Sequence, residues 1–97
     1  MPRPREYLEK AGSLIEGERG QDYGDYSINF SNIAKGWSVI LGIHVTPEQV
    51  GLALTWLKMA RLVSPTISDS ATDDCYEDGI AYLAIGAVLG GRGQIGD

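Results

Sequence analysis

The sequence predicts an all-α fold, a four-helix bundle, and three observations carry that reading. Apolar residues recur at helical spacing in four separate stretches, and the links between the stretches are short. No stretch alternates apolar and polar residues for long enough to build a sheet. The 97 residues allow one domain, expected over 1–97, with a thin core. Hydrophobic residues at 43% and charged residues at 22% are ordinary globular proportions and argue against disorder.

The first helix is expected from Pro4, a residue suited to a first helical turn, to about Glu18. Tyr7, Leu8, Ala11, Leu14 and Ile15 form its apolar stripe, with Glu6, Glu9, Lys10 and Glu16 elsewhere. Residues 19–25 read as a loop, since Gly20, Asp22 and Gly24 favour turn geometry. A second helix, about 25–41, carries Phe30, Ile33, Ala34, Trp37, Ile40 and Leu41 on one side and Asn29, Asn32, Lys35 and Ser38 on the other. Gly42 ends it.

Thr46-Pro47-Glu48-Gln49 starts a third helix, about 47–63, with Thr46 as cap, Pro47 in the first turn and Gln49 completing a capping box. Only Thr55, Lys58 and Arg61 make a polar strip on it, so it is expected to be central or buried in a subunit interface. Residues 64–72 read as a polar loop, and Thr72 or Asp73 as the cap of a fourth helix that reaches Leu89 and stops at Gly90-Gly91. A mobile tail over about 90–97 is expected to follow. Four short helices cannot easily cover both the third helix and the apolar half of the fourth. A homo-oligomer burying Trp56 or Leu83 is therefore expected.

The net charge of −5 and the pI near 4.7 argue against duplex nucleic acid as a partner, because phosphate contacts need clustered Lys and Arg. Cys75 is the sole cysteine and suits a reducing compartment. The opening residues lack the apolar region of a signal peptide. The longest apolar stretch, Gly79 to Gly91, is too short to span a membrane. The cytoplasm is the expected location, with no membrane partner.

Two groups of residues are candidates for chemistry. Asp74 and Asp78 share a helical face, with Tyr82 a turn further along, while Lys58 and Arg61 share a face of the preceding helix. Antiparallel packing would bring the acidic start of the fourth helix to the basic end of the third. One reading is an ion-pair cluster. The other is a site where Asp74 and Asp78 hold magnesium and Lys58 or Arg61 receives a phosphate. The second group is Arg19, Tyr23, Gly24, Asp25 and Asn29. A turn with Asp25 as cap is one account; an Arg and an aromatic that grasp a phosphate or stack on a base is the other.

His44, the one histidine, reads as a loop residue; without a second histidine or a cysteine pair, zinc is not indicated. Trp37 and Trp56 lie on apolar stripes and read as core or interface residues.

The pattern Glu18-Arg19-Gly20-x-x-Tyr23-Gly24-Asp25, then Asn29-Phe30, Ile33-Ala34 and Trp37, resembles the opening of a family of small phage and prophage proteins of unknown function. Thr46-Pro47, Leu57-Lys58-Met59-Ala60-Arg61-Leu62 and Asp74-x-x-x-Asp78-x-x-x-Tyr82 continue the resemblance, which covers roughly 14–88. More distantly, the chain is similar to MazG-like nucleoside triphosphate pyrophosphohydrolases, all-α enzymes that hold magnesium with Glu-x-x-Glu on one helix and Glu-x-x-Asp on the next. The departures are plain. Glu6-x-x-Glu9 lies in the first helix, and the fourth offers Asp74-x-x-Glu77.

The first functional reading is a non-catalytic oligomer that holds a nucleotide-like or phosphate-bearing ligand, as a protein sequestering a host immune signal would. The basic and aromatic candidate site and the incomplete catalytic set carry it, not the resemblance. The alternative, which the resemblance implies, is a MazG-like hydrolase, with magnesium on Asp74, Glu77 and Asp78 and a further ligand from Glu16 or Glu18. An acidic inhibitor that blocks a host protein is a third possibility.

Overall fold

The computed structural model describes residues 3–16 and 26–91, and among these every regular element is a helix. The four helices are α1 (Pro4–Glu16), α2 (Tyr26–Leu41), α3 (Pro47–Leu62) and α4 (Asp69–Leu89). The all-α expectation holds. Because α1 is followed by residues 17–25, which lie outside the described residues, the expected end at Glu18 and the loop after it are not addressed.

Local chemistry starts and stops the helices. The Thr46 hydroxyl accepts from the Gln49 N–H at 3.1 Å, and the Gln49 side-chain oxygen accepts from the Thr46 N–H at 2.9 Å. This reciprocal pair is the expected capping box, with Pro47 supplying its preset φ to the first turn. Gly42 closes α2 at φ 69°, a left-handed conformation that side chains resist, while its N–H bonds the Ser38 carbonyl.

The start of α4 corrects the sequence reading. The cap is Ser68, not Thr72 or Asp73, and the helix begins at Asp69. The Ser68 hydroxyl accepts from the Ala71 N–H at 3.2 Å, whereas the Thr72 hydroxyl is turned back to donate to the Ser68 carbonyl at 2.9 Å. A threonine bonded to the carbonyl four residues earlier is already inside the helix and cannot cap it.

Packing is most extensive between α3 and α4, which run antiparallel: Glu48 lies beside Gly90, Gly51 against Gly86 and Lys58 beside Gly79. The closest approach is at Gly51, where an added Cβ would sit 2.9 Å from the Gly86 Cα and 3.0 Å from the Tyr82 carbonyl oxygen. Phe30 and Ala34 of α2, Val45, Val50 of α3 and Ile85 of α4 form the core, with Ile15 of α1 and Tyr82 packed against it. Ser38 fastens the α2–α3 link, since its hydroxyl accepts from the Val45 N–H at 2.8 Å and donates to the Ala34 carbonyl at 2.7 Å. α1 lies along the first half of α4.

One stripe expectation is corrected. Ile40 and Leu41 are exposed, because the chain turns away at Gly42 and Val45 takes the buried place instead. On α3, only one side faces α2 and α4. Val50 and Gly51 are buried there, while Leu52, Trp56 and Met59 face outward.

Candidate functional site

The antiparallel register brings the two charged groups of α3 and α4 to the same level. The Lys58 ammonium lies 3.1 Å from the Asp78 carboxylate, with side-chain exposures of 16% and 11%. The opposition of basic and acidic residues read from the sequence is therefore an actual ion pair, partly shielded from water. Helix contact sets its geometry. Gly79, next to Asp78, is buried, and a Cβ added to it would lie 3.8 Å from the Lys58 Cβ, so the two helices are close at this level. The Thr55 hydroxyl donates to the Gly51 carbonyl at 2.7 Å and reaches the Gly79 carbonyl at 3.5 Å.

Around this pair the expected residues divide. Arg61, one turn further along α3, is exposed, and so is Asp74, one turn back along α4. Tyr82 is half-buried and belongs to the core, its ring centroid 6.3 Å from that of Phe30. Asn29 is exposed beside buried Phe30. Arg19, Tyr23, Gly24 and Asp25 lie outside the described residues. Asp74, Asp78 and Tyr82 were expected on one face, but the wide contact between α3 and α4 gives them three different environments. Among the described residues, no group of three or more His, Cys, Asp or Glu side chains is placed to hold a metal ion.

Sequence reasoning missed what α1 contributes. The Tyr7 hydroxyl donates to the Asp73 carboxylate at 2.7 Å, and its ring meets that of Tyr76 edge-on at 6.0 Å. That hydrogen bond, chiefly, holds the Tyr7 phenol above its ordinary 10.0, with desolvation and the charges of Asp73 and Glu77 adding to it. Partial desolvation, first, pushes the Glu77 carboxyl above its ordinary 4.5; Asp74, Asp73 and Asp78 push the same way, and Lys10 opposes them. The available signal was spacing. Tyr7 and Lys10 are three apart on α1, and Asp73 and Glu77 four apart on α4, so each pair presents one patch.

The site is thus a junction of three helices. Asp73, Asp74, Glu77 and Asp78 follow one another along the first half of α4, flanked by one amine from α1 and one from α3, with a guanidinium at its edge. Such an arrangement can orient a charged ligand through hydrogen-bond donors.

Comparison with known proteins gives this geometry a setting. The family described as "Domain of unknown function (DUF6378)" matches residues 6–90. The gene 55 protein of Mycobacterium phage L5 is 40% identical over 57 residues, which are 58% of this chain. The match spans 36% of that protein's length. No solved structure matches the chain.

Proposed function

We propose that this chain, which belongs to the DUF6378 family of domains of unknown function, is a non-catalytic binding protein for a phosphate-bearing, nucleotide-like small molecule. The observation that carries the reading is the shielded Lys58–Asp78 pair at 3.1 Å, with exposed Arg61 one turn away. A lysine fixed by a carboxylate presents its remaining N–H donors in a set direction, and an arginine fork beside it suits phosphate oxygens. Donors held in place lose little freedom when a ligand arrives. Magnesium enters this reading as the counter-ion of the bound phosphate, with exposed Asp74 as its protein ligand and Asp78 behind it. The described residues supply no complete metal set of their own, so no chemical step is assigned to the ion. Arg19, Tyr23, Gly24, Asp25 and Asn29 remain proposed ligand contacts, and so does Tyr82.

The proposed biological use is sequestration of a host signalling nucleotide, with the cytoplasm of the infected cell as the proposed location; similarity to a phage protein supports the phage setting alone. The raised Glu77 carboxyl favours a second reading, a MazG-like pyrophosphohydrolase, because crowded carboxylates also mark magnesium-dependent sites. One experiment separates the two. The protein is incubated with a panel of linear and cyclic nucleotides, with and without magnesium, and what remains in solution is quantified. Depletion of one nucleotide, with intact ligand recovered after heat denaturation, supports binding; recovery of a cleaved product supports the hydrolase. No depletion and no turnover across the panel would overturn both.

A further inference from the structure

We infer that α3 is the dimerisation element of this protein, pairing antiparallel with α3 of a second copy about a two-fold axis near Trp56. The outward side of α3 holds Leu52, Trp56 and Met59, and Val63 follows at its C-terminal cap, at spacings of four, three and four residues. That alternation is the seam of a helix pair packed knobs-into-holes. All four are open in the single chain, with exposures of 52%, 68%, 50% and 83%. Ala53 and Ala60 complete the face, and no charged residue interrupts it.

The order of side chains along the seam selects a second copy as the occupant. With the axis at Trp56, Leu52 of one copy lies opposite Ala60 of the other, and Met59 lies opposite Ala53. Leu52 and Met59 each meet an alanine, on both sides of the axis, which favours close packing, while the two Trp56 side chains face each other at the axis itself. Parallel self-pairing would instead set Leu52 on Leu52 and Ala60 on Ala60. An isologous interface uses the same patch twice, and this patch is complementary to itself only when reversed. The four seam residues leave on the order of 500 Å² open per copy, so a pair can cover at most about 1,000 Å², the lower limit for a specific interface.

The proposal is independent of the ligand reading, because the Lys58–Asp78 pair lies between α3 and α4, on the other side of α3 from the seam. Sedimentation of the full chain across the micromolar range should show a dimer. Trp56→Glu should raise the dimer dissociation constant about 30-fold or more, as for a buried aromatic anchor, with the far-ultraviolet circular dichroism unchanged. Leu52→Cys and Ala60→Cys chains, mixed under oxidation, should form a disulfide-linked pair that neither forms alone; Cys75 is buried and does not compete. Residues 52 and 60 of one chain are about 12 Å apart along the helix, too far for a bridge within it. A monomer throughout the range, a dimer indifferent to Trp56→Glu, or cross-linking by either cysteine variant alone would each overturn the assignment.

Discussion

Gly51 and Gly86 lie backbone against backbone where α3 crosses α4, and the Gly51 position leaves no space for a methyl group. A Cβ on Gly51 would come within 3.2 Å of the Gly86 nitrogen and closer still to its Cα, while one on Gly86 would sit 3.4 Å from the Glu48 carbonyl oxygen. Backbone cannot swing aside as a side-chain tip can, so the two helices must separate. Gly51→Ala is expected to destabilise the fold by about 2 kcal/mol from overpacking, even after the gain of roughly 1 kcal/mol that alanine brings to a helix. Gly36→Ala on α2, with nothing within 4 Å, should instead stabilise by about 0.5–1 kcal/mol. Thermal melts of the two variants check the contrast, and a neutral Gly51→Ala would refute the close crossing.

The Lys58–Asp78 pair is shielded enough that losing one partner should matter. Asp78→Asn leaves an ammonium with little access to water and is expected to cost about 2 kcal/mol, whereas Lys58→Met with Asp78→Leu together should cost much less than the two single changes summed. A double-mutant cycle by denaturant unfolding measures the difference. Binding titrations on Arg61→Gln, whose side chain is exposed, complete the test: weakened ligand binding with unchanged stability is the expected result.

Glu77 gives the stability a pH dependence of definite sign. Its carboxyl holds a proton more tightly folded than unfolded, so folding stability falls as pH rises from about 4.5 through the raised folded value. Above that window the charged form carries the whole penalty. Glu77→Gln should therefore be more stable than the parent at neutral pH, by under about 1 kcal/mol because the site is partly open to water. The advantage should vanish below pH 4.5, which melts at several pH values would reveal.

The position of the α4 cap yields a fourth expectation. Ser68→Ala should cost about 1 kcal/mol, as the Ala71 N–H loses its acceptor, while Thr72→Ala should cost less than about 0.5 kcal/mol. Equal losses, or a greater loss at Thr72, would return the helix start to residue 72.

Much of this molecule is legible without coordinates, and the misreadings have physical causes. Thr46-Pro47-Glu48-Gln49 announces α3 because a capping box involves only neighbours in the chain. The Lys58–Asp78 encounter is legible because short links force α3 and α4 to run antiparallel. Ser68 was hidden because Ser68, Ser70 and Thr72 all have the hydroxyl a cap needs, and only hydrogen-bond direction distinguishes them. The place of Tyr82 was hidden as well, since spacing puts it on the face of Asp78 but cannot say that Phe30 arrives from α2 to meet it. The Tyr7–Asp73 contact joins residues 66 apart, and no local pattern encodes a meeting at that range.

That same contact governs the order in which the chain assembles. The α3–α4 hairpin closes a short loop and forms the broadest helix contact, so it carries little entropic cost and can form first. α1 must then return across most of the chain to dock, held by Tyr7 on Asp73 and Tyr76 and by few buried side chains, of which Ala11 is the chief. Tyr7→Phe should accordingly speed unfolding while leaving the refolding rate nearly unchanged, as expected for a contact made after the transition state. Backbone amides of α1 should exchange with solvent through local opening at lower free energy than those of α3, making α1 the segment that detaches before the rest unfolds.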